Sequence, residues 1–441
     1  MPDTSVDGPI RRKAGLPRRG HEKAGEFDMK DYKFGSEPEV DAAVSRSRRW
    51  RSKPSRSEVI LANTIDVSNL FYDGIVQSLV ERGVSVRLVS SAGTTGPRLF
   101  SDLATLHCIQ MQRAPAPLRD LRALMQWIAL LARVRPKTLV VGTPKAALLG
   151  GVAGRLTRVP SIVYVVHGIR GERTTGGLGI LLAVIEDITI KCAHRVLAVS
   201  PSLRRELLRS HPEARSKTVV LGHGSLNGVD AQRFAPPSPN ERFAARSRWG
   251  LSADPVIGFV GRVERDKGGE FLMRLMDHPR IIQLGAHLLM VGELEDESLR
   301  TDVDKLIAEG RATVTGWTEV PEQHMAALDV LVHPTRREGL GMVILEAQSM
   351  GIPVLTNEVT GTVDALVDGV GGHFPKADSI HSWVDDICDL TLDDSSRGEI
   401  GAAGRRFVLE RFNRTEVVER FVEYLSTVDA QDASKEPNAE S

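Results

Sequence analysis

Two carboxylates and two cations stand at spacings that suit the binding of a nucleoside diphosphate carrying a sugar. The stretch from His333 to Glu346, HPTRREGLGMVILE, places Glu338 and Glu346 eight residues apart around a Gly-x-Gly turn. An apolar strand (Leu331, Val332) ends at Pro334, Gly339 and Gly341 let the backbone turn tightly, and a helical pattern begins at Met342. The first NH groups of such a helix have no partner inside it and carry partial positive charge, so a diphosphate can rest against them. Glu338, before the turn, is placed to reach sugar hydroxyls. Glu346, about two turns into the helix, can accept both hydroxyls of a ribose. Taken alone, the segment also fits two solvated glutamates beside an ordinary strand-to-helix turn.

A second stretch, VIGFVGRVERDK (Val256 to Lys267) followed by Gly268 and Gly269, narrows the choice. Val256, Ile257, Phe259 and Val260 read as a buried strand, and Gly258 and Gly261 suit a strand end where backbone approaches a ligand. Arg262 emerges at that end and Lys267 follows five residues later, before a helix from Glu270 to Met276. The two cations can converge on one anion, Arg262 through its planar fork and Lys267 as a point charge. A basic surface loop is the competing reading.

These residues need a scaffold, and the apolar pattern supplies one. In the first half, strands are expected at Val59–Asn63, Val84–Val89, Thr138–Val141, Ser161–Val166 and Val196–Val199. They alternate with helices, among them Leu118–Val134, Ala146–Leu156 and Leu182–Cys192. Strands at Val256–Val260, His287–Val291, Ala312–Thr315, Val330–His333 and Val354–Thr356 repeat the arrangement, with the Pro-rich, polar stretch Asn227–Asp254 near the junction. Such alternation indicates α/β architecture, parallel sheets wrapped by helices. Ligands of these sheets lie beyond the carboxyl ends of the strands, where Asp66, the Thr143–Lys145 turn, His167–Arg170 and Ser200 are found.

At 441 residues the chain exceeds one typical domain, and 41% hydrophobic with 26% charged residues is ordinary globular usage, so two domains are the default. Lys plus Arg and Asp plus Glu both number 57, which removes any global pull toward nucleic acid or membrane. Cys108, Cys192 and Cys388 are scattered, which argues against a disulfide framework or zinc site and fits a reducing cytoplasm. No secretory signal is evident, and the apolar run Leu178–Ile185 is too short to span a bilayer. Residues 1–57 are rich in Arg, Pro, Gly and Ser without periodicity and read as a disordered basic tail. They hold 14 Lys or Arg against 9 Asp or Glu, a net of +5, suited to anionic lipid or to an inert tail, with Met29 as an alternative start.

On Gly261, Arg262, Lys267, Gly268, Glu338 and Glu346 the chain resembles retaining glycosyltransferases of family 4. Both the Glu, seven residues, Glu signature and the Gly-Arg, four residues, Lys-Gly loop are complete. The resemblance covers roughly Glu58 to Leu425 and is nearest to enzymes that extend capsular or lipid-linked oligosaccharides, through GTPKAALLGG, HGIRGERTTGG, VSPSLRRELL, LGHGSLNGVDAQRF and TGTVDALVDGVGG. It implies the GT-B fold, two Rossmann-like domains facing each other across a cleft. The first (58–235) handles the acceptor and the second (236–414) the donor. A final helix (415–427) crosses back to the first domain, ahead of a disordered end (428–441). It implies further that Gly261, Arg262 and Lys267 hold the donor diphosphate, that Glu338 and the amides of Gly339, Leu340 and Gly341 hold the sugar, and that Glu346 holds the ribose.

His167 falls where the family places a polar group near the donor sugar, although Arg is the expected residue in the nearest relatives; a structural histidine is the alternative. Lys145, with Thr143, is a candidate to meet an acceptor diphosphate, with an exposed helix-start lysine as the alternative, and Asp66 is a further candidate for acceptor contacts. Arg170, Glu172 and Arg173 follow His167 in a glycine-rich loop and are candidates for acceptor contacts, with a solvated charge run as the commoner explanation. In the Leu118–Arg135 helix, Leu121, Leu124, Met125, Ile128 and Leu131 form one apolar stripe, widened by Trp127, Leu130 and Val134, with arginines near both ends. A core helix of the first sheet is the preferred reading, a helix lying on the inner membrane face the other.

The activity implied is retaining transfer of a hexosyl unit from a nucleoside diphosphate sugar, uridine by family default, to a hydroxyl of a lipid-diphosphate-linked sugar. Arg262, Lys267 and the helix amides would stabilise the leaving diphosphate. No metal or cofactor is called for, since no Asp-x-Asp pair stands where a metal-bridged diphosphate would need it, Asp385-Asp386 lying far along in a helical region. A front-face route and Glu338 as a covalent nucleophile both remain open. A sugar-nucleotide epimerase and a non-catalytic nucleotide-sugar binding protein of the same fold are the alternatives, and intact Arg262, Lys267, Glu338 and Glu346 favour transfer over both.

Overall fold

The computed structural model describes residues 58–112, 114–169, 176–251, 254–376 and 379–433. The expectations for the tail 1–57, for Arg170, Glu172 and Arg173, and for 434–441 lie outside the described residues.

Two parallel sheets organise the chain. The first holds β1 (Glu58–Ala62), β2 (Ser85–Ser90), β3 (Thr105–Cys108), β4 (Thr138–Val141), β5 (Ser161–Val166), β6 (Arg195–Ala198) and β7 (Thr218–Val219), in the order β3-β2-β1-β4-β5-β6-β7. The second holds β8 (Val256–Val260), β9 (His287–Val291), β10 (Ala312–Val314), β11 (Val330–His333), β12 (Val354–Thr356) and β13 (Gly372–His373), in the order β10-β9-β8-β11-β12-β13. Strands β4, β5, β8 and β11 are buried along their whole length, and their sequences are continuous apolar runs because helices cover both faces of the sheets. In both sheets the strand order reverses beside the first strand, between β1 and β4 and between β8 and β11. The loops that leave those strands diverge at such a point and open a crevice for ligand.

The edge strands β3, β7 and β13 were not legible in the sequence: they have two to four residues and no apolar run. The expected stripe on the Pro117–Val134 helix is also rotated. Ala123, Trp127, Leu130 and Leu131 face the core, whereas Leu121 and Met125 are exposed, so the residues expected only to widen the stripe do most of the packing.

Past β7 the chain crosses to the second sheet and later returns. Gly228, at φ +60°, lies against the backbone of Phe412 and Arg414, an approach that a Cβ would block. Val229 donates to the Phe412 carbonyl at 2.7 Å and accepts from the Arg414 amide at 3.1 Å. The last helix, Arg414–Ala433, continues beyond the expected end at 427 and packs against the Ile75–Glu81 helix of the first sheet. Arg414 fixes this return by bonding Asp73 at 2.9 Å and Asp230 at 3.4 Å.

Candidate active site

The carboxyl ends of β1, β4 and β5 face those of β8 and β11 across a cavity of about 350 Å³. The first sheet lines it with Thr64, Thr143, Lys145 and His167, the second with Arg262, Lys267, Arg337, Glu338 and Gly339. The two sides also touch. A Cβ on Gly339 would collide with the His167 carbonyl oxygen, so this glycine is what lets the turn before the Met342–Ser349 helix reach the first sheet. Nearby, the buried Asp364 carboxylate accepts from the Ser202 amide at 2.7 Å and from the Ser202 hydroxyl, and Ser202 accepts from the Gly361 amide at 2.8 Å.

On the second side the cations are held by carboxylates. Gly261, at φ +134°, ends β8 and releases Arg262, which pairs with Glu264 at 2.8 Å and Glu295 at 2.9 Å. Lys267 ends a short 3-10 turn, and Gly268 at φ +86° brings that turn against the Pro334 carbonyl. This places the Lys267 ammonium on the Glu338 carboxylate. The same Glu338 oxygen accepts from His333 Nε2 at 2.9 Å. Burial alone raises the pKa of Glu338, but the Lys267 charge and the His333 hydrogen bond outweigh it and bring it to about 2, so this carboxylate is ionised at neutral pH. Gly341, at φ +80°, caps the Met342–Ser349 helix, whose first amides follow the turn. Leu340 is 3% exposed, so its side chain serves packing and only its backbone can serve a ligand.

Glu346 sits one turn into the same helix in a different environment. Burial dominates and raises its pKa to about 7, with Arg233 and Arg414 opposing the rise. The two glutamates of one motif are therefore pushed to opposite sides of the ordinary carboxylate value, because only Glu338 has a cation in direct contact.

On the first side His167 ends the β5 segment and stacks on Phe71 with ring centroids 4.6 Å apart. Burial lowers its pKa to about 4, so the ring is neutral at pH 7, and Nε2 is buried without a hydrogen-bond partner in the protein. Lys145 lines the cavity but is engaged at 2.7 Å by Asp120 and at 2.6 Å by the Ala114 carbonyl. Asp66, expected to contact acceptor, is not brought to the cavity. It is 7% exposed and its oxygens accept from the amides of Thr95 at 2.6 Å and Gly96 at 3.0 Å, which makes it the anchor of the Thr95–Phe100 helix. Among the described residues one group with metal-ligand chemistry, Asp187, His211 and Glu213, comes together, and it does not line the cavity.

Residues 72–224 match the family described as glycosyl transferase 4-like domain, and residues 254–393 that described as glycosyl transferases group 1. The capsular polysaccharide biosynthesis glycosyltransferase CapM of Staphylococcus aureus is 32% identical over 354 residues, 79% of this chain and 92% of that protein. The chain belongs to glycosyltransferase family 4. This glycosyltransferase is also similar, at 24% identity over 312 residues (69% of the chain, 78% of the relative), to the UDP-Gal:alpha-D-GlcNAc-diphosphoundecaprenol alpha-1,3-galactosyltransferase of Escherichia coli. Among solved structures, HepE of Anabaena in complex with UDP and glucose superposes with a TM-score of 0.71 at 19% identity, over 84% of this chain and all of that one, which establishes the GT-B fold.

Two features of the glycosyltransferase site were missed in its sequence. His333 was read only as the end of a strand, yet it is 1% exposed and holds the motif's first glutamate. Its signal was present, a histidine closing a buried strand five residues before that glutamate. Arg233, which bonds Glu322 at 2.9 Å and bears on Glu346, lies more than a hundred residues before that glutamate, and no local spacing connects the two.

Proposed function

We propose that the enzyme transfers a hexosyl unit, with retention, from a uridine diphosphate sugar to a hydroxyl of a lipid-diphosphate-linked sugar in capsule, exopolysaccharide or O-antigen type synthesis. The observation that carries this reading is the grouping at one crevice of Arg262, Lys267, ionised Glu338 and the Gly339–Gly341 turn, with neutral His167 opposite. Breaking the bond to the anomeric carbon places negative charge on the leaving diphosphate and leaves an oxocarbenium-like sugar. Arg262, Lys267 and the helix amides stabilise the first electrostatically. Glu338 orients the sugar through its hydroxyls and, as an anion, favours positive charge nearby. The His167 Nε2 atom supplies a neutral hydrogen-bonding group on the other face. In a front-face route the acceptor hydroxyl attacks the anomeric carbon on the side the diphosphate leaves, and its proton passes to a leaving phosphate oxygen. Glu346 binds the ribose.

One relative supports the donor and acceptor classes, as a UDP-Gal:alpha-D-GlcNAc-diphosphoundecaprenol galactosyltransferase, and the other, a capsular polysaccharide biosynthesis glycosyltransferase, supports the kind of glycan. We propose no metal in the transfer step, the protein cations serving the diphosphate. No helix of the described residues is long and apolar enough to cross a membrane, and a lipid-linked acceptor would be met at the cytoplasmic membrane surface. The test is release of nucleoside diphosphate from a panel of UDP and GDP sugars in EDTA, with and without an undecaprenyl-diphosphate-linked sugar. Acceptor-dependent release from one UDP sugar is expected. Release that requires added divalent metal, or tight binding with no turnover on any acceptor of this class, would overturn the reading.

A further inference from the structure

Among the described residues four cations line the cavity, Lys145, Arg262, Lys267 and Arg337, and the proposed transfer uses two of them. Arg262 and Lys267 serve the donor diphosphate. Lys145, the residue from which the sequence led one to expect an acceptor contact, is committed elsewhere: its largely buried ammonium bonds Asp120 at 2.7 Å and the Ala114 carbonyl at 2.6 Å. That leaves Arg337, one residue before Glu338 in the same motif, without a task.

The backbone beneath Arg337 is fixed. Past β11 the Thr335 side chain is fully buried, and its hydroxyl donates to the Arg337 carbonyl at 2.9 Å. The Arg336 amide donates to the Asp266 carbonyl at 2.9 Å, which ties this loop to the turn that carries Lys267. From that base the Arg337 side chain reaches toward the first sheet. Its Nη1 donates to the Ile169 carbonyl at 3.3 Å, two residues past His167, and its Nη2 pairs with Asp266 at 2.7 Å. The guanidinium therefore stands where the two sides of the cleft meet, beside the space between Glu338 and His167.

Its ion pair is also the one most easily exchanged. The Asp266 side chain is 52% exposed, more than any other carboxylate that holds one of the four cations, whereas Asp120 and Glu338 lie mostly out of water. A pair so open to solvent adds little stability, so Arg337 can turn from Asp266 to a ligand anion at small cost. Of the N–H groups that a guanidinium carries, two are used here, one of them in a long bond to Ile169. The rest of the planar fork matches two oxygens of a phosphate.

We propose that Arg337 binds the diphosphate of the acceptor. Asp266 and the Ile169 carbonyl hold the guanidinium in place until the acceptor arrives, and the diphosphate then replaces the carboxylate. The donor diphosphate, met by Arg262, Lys267 and the amides after Gly341, needs no further cation, and the reach of Arg337 toward Ile169 puts its charge on the first-sheet side of the transferred sugar. An anion held there presents the acceptor hydroxyl next to the position that Glu338 and His167 enclose. This assignment rests on the lipid-diphosphate acceptor of the proposed function.

The experiment compares full-length wild type, Arg337→Gln, Arg337→Lys and, as a control, Arg336→Gln, the neighbouring arginine that does not line this cavity. Two soluble acceptors carry N-acetylglucosamine, the sugar in the acceptor of the Escherichia coli relative, one on a short-chain prenyl diphosphate and the other on a neutral alkyl chain. The ratio of kcat/KM for the first to that for the second should fall about ten- to a hundredfold in Arg337→Gln, the effect of losing a charged hydrogen bond. Arg337→Lys, which keeps the charge without the fork, should fall between, and Arg336→Gln should keep the wild-type ratio. Equal losses on both acceptors would make Arg337 a brace between the two sides of the cleft and overturn the proposal. A matching loss of affinity for the nucleoside diphosphate sugar would give Arg337 to the donor and overturn it too. Calorimetric binding of the prenyl diphosphate sugar to UDP-loaded protein reads the subsite without turnover: wild type should bind it and Arg337→Gln should bind about tenfold or more weakly. No binding by wild type, or equal binding by the variant, overturns the proposal. Binding that depends on Arg337 with no transfer from any donor would count against the proposed function and not against this subsite. UDP binding by every variant reports that it folds.

Discussion

Replacing Glu346 by glutamine should weaken donor binding and stabilise the fold at the same time. The carboxylate has a pKa of about 7 in the folded protein, against an ordinary value of 4.5, because burial outweighs the pull of Arg233 and Arg414. If the ionised form is the one that accepts both ribose hydroxyls, affinity follows its fraction, and that fraction rises about tenfold from pH 6 to pH 8. Wild-type Kd for the donor should therefore improve about tenfold over that range. The nucleotide sugar is the ligand to use, since its phosphate diester oxygens do not titrate there. His167, with a pKa of about 4, contributes nothing to the change. Glu346→Gln retains a single neutral acceptor, so at pH 8 it should bind roughly ten- to a hundredfold more weakly, the worth of one charged hydrogen bond at ~1.5–3 kcal/mol, and its affinity should be flat with pH.

Stability moves the other way. A carboxylate whose folded pKa lies above its unfolded value costs nothing below 4.5 and costs progressively more as pH rises through 7. A folded value of about 7 against 4.5 in the unfolded chain corresponds to roughly 3 kcal/mol at pH 8 and roughly 2 kcal/mol at pH 6, which the glutamine variant recovers. Calorimetric titration with the donor and urea denaturation at the two pH values read both effects. A wild-type Kd independent of pH, or a glutamine variant that binds as tightly as wild type at pH 8 without gaining stability, would refute the assignment of Glu346 as a strained ribose acceptor.

Arg262→Ala and Lys267→Ala should each lower turnover by about two to three powers of ten, the loss of ~3–4 kcal/mol from one preorganised donor, and near-normal steady-state rates in both would remove the diphosphate assignment. Lys267→Ala should also destabilise the protein more than Arg262→Ala, because it strips the ammonium from the part-buried Glu338 whereas Arg262 is 44% exposed; urea midpoints compare the two. Asp66→Ala should cost ~1–3 kcal/mol in denaturation through the unpaired amides of Thr95 and Gly96, with the acceptor KM unchanged if Asp66 is structural. Gly339→Ala should lower kcat while the variant still binds nucleotide, since its Cβ would push against the His167 carbonyl and separate the two sides of the site.

Local chemistry was sufficient for much of this protein. The interior strands were legible because a strand covered on both faces must be apolar throughout, and β4, β5, β8, β9, β11 and β12 begin and end where those runs do. The Glu338/Glu346 and Arg262/Lys267 spacings were legible because glycines and helix starts at strand ends are local features. What the sequence left open depends on groups distant in the chain. The pKa values of the two glutamates part because Lys267 arrives on Glu338 from another loop while burial outweighs the fields of Arg233 and Arg414 at Glu346. Asp66 looked like a cleft residue at a strand end, but the amides at 95 and 96 claim its oxygens. The Pro117–Val134 helix carries apolar residues around much of its circumference, so its period could not say which face the sheet would take; Trp127 takes the buried side, beside Gly150, and Leu121 and Met125 turn outward. Spacing along the chain thus determined which chemistry was available, and three-dimensional packing, by fixing each charge's partner and each helix's rotation, decided where it is used.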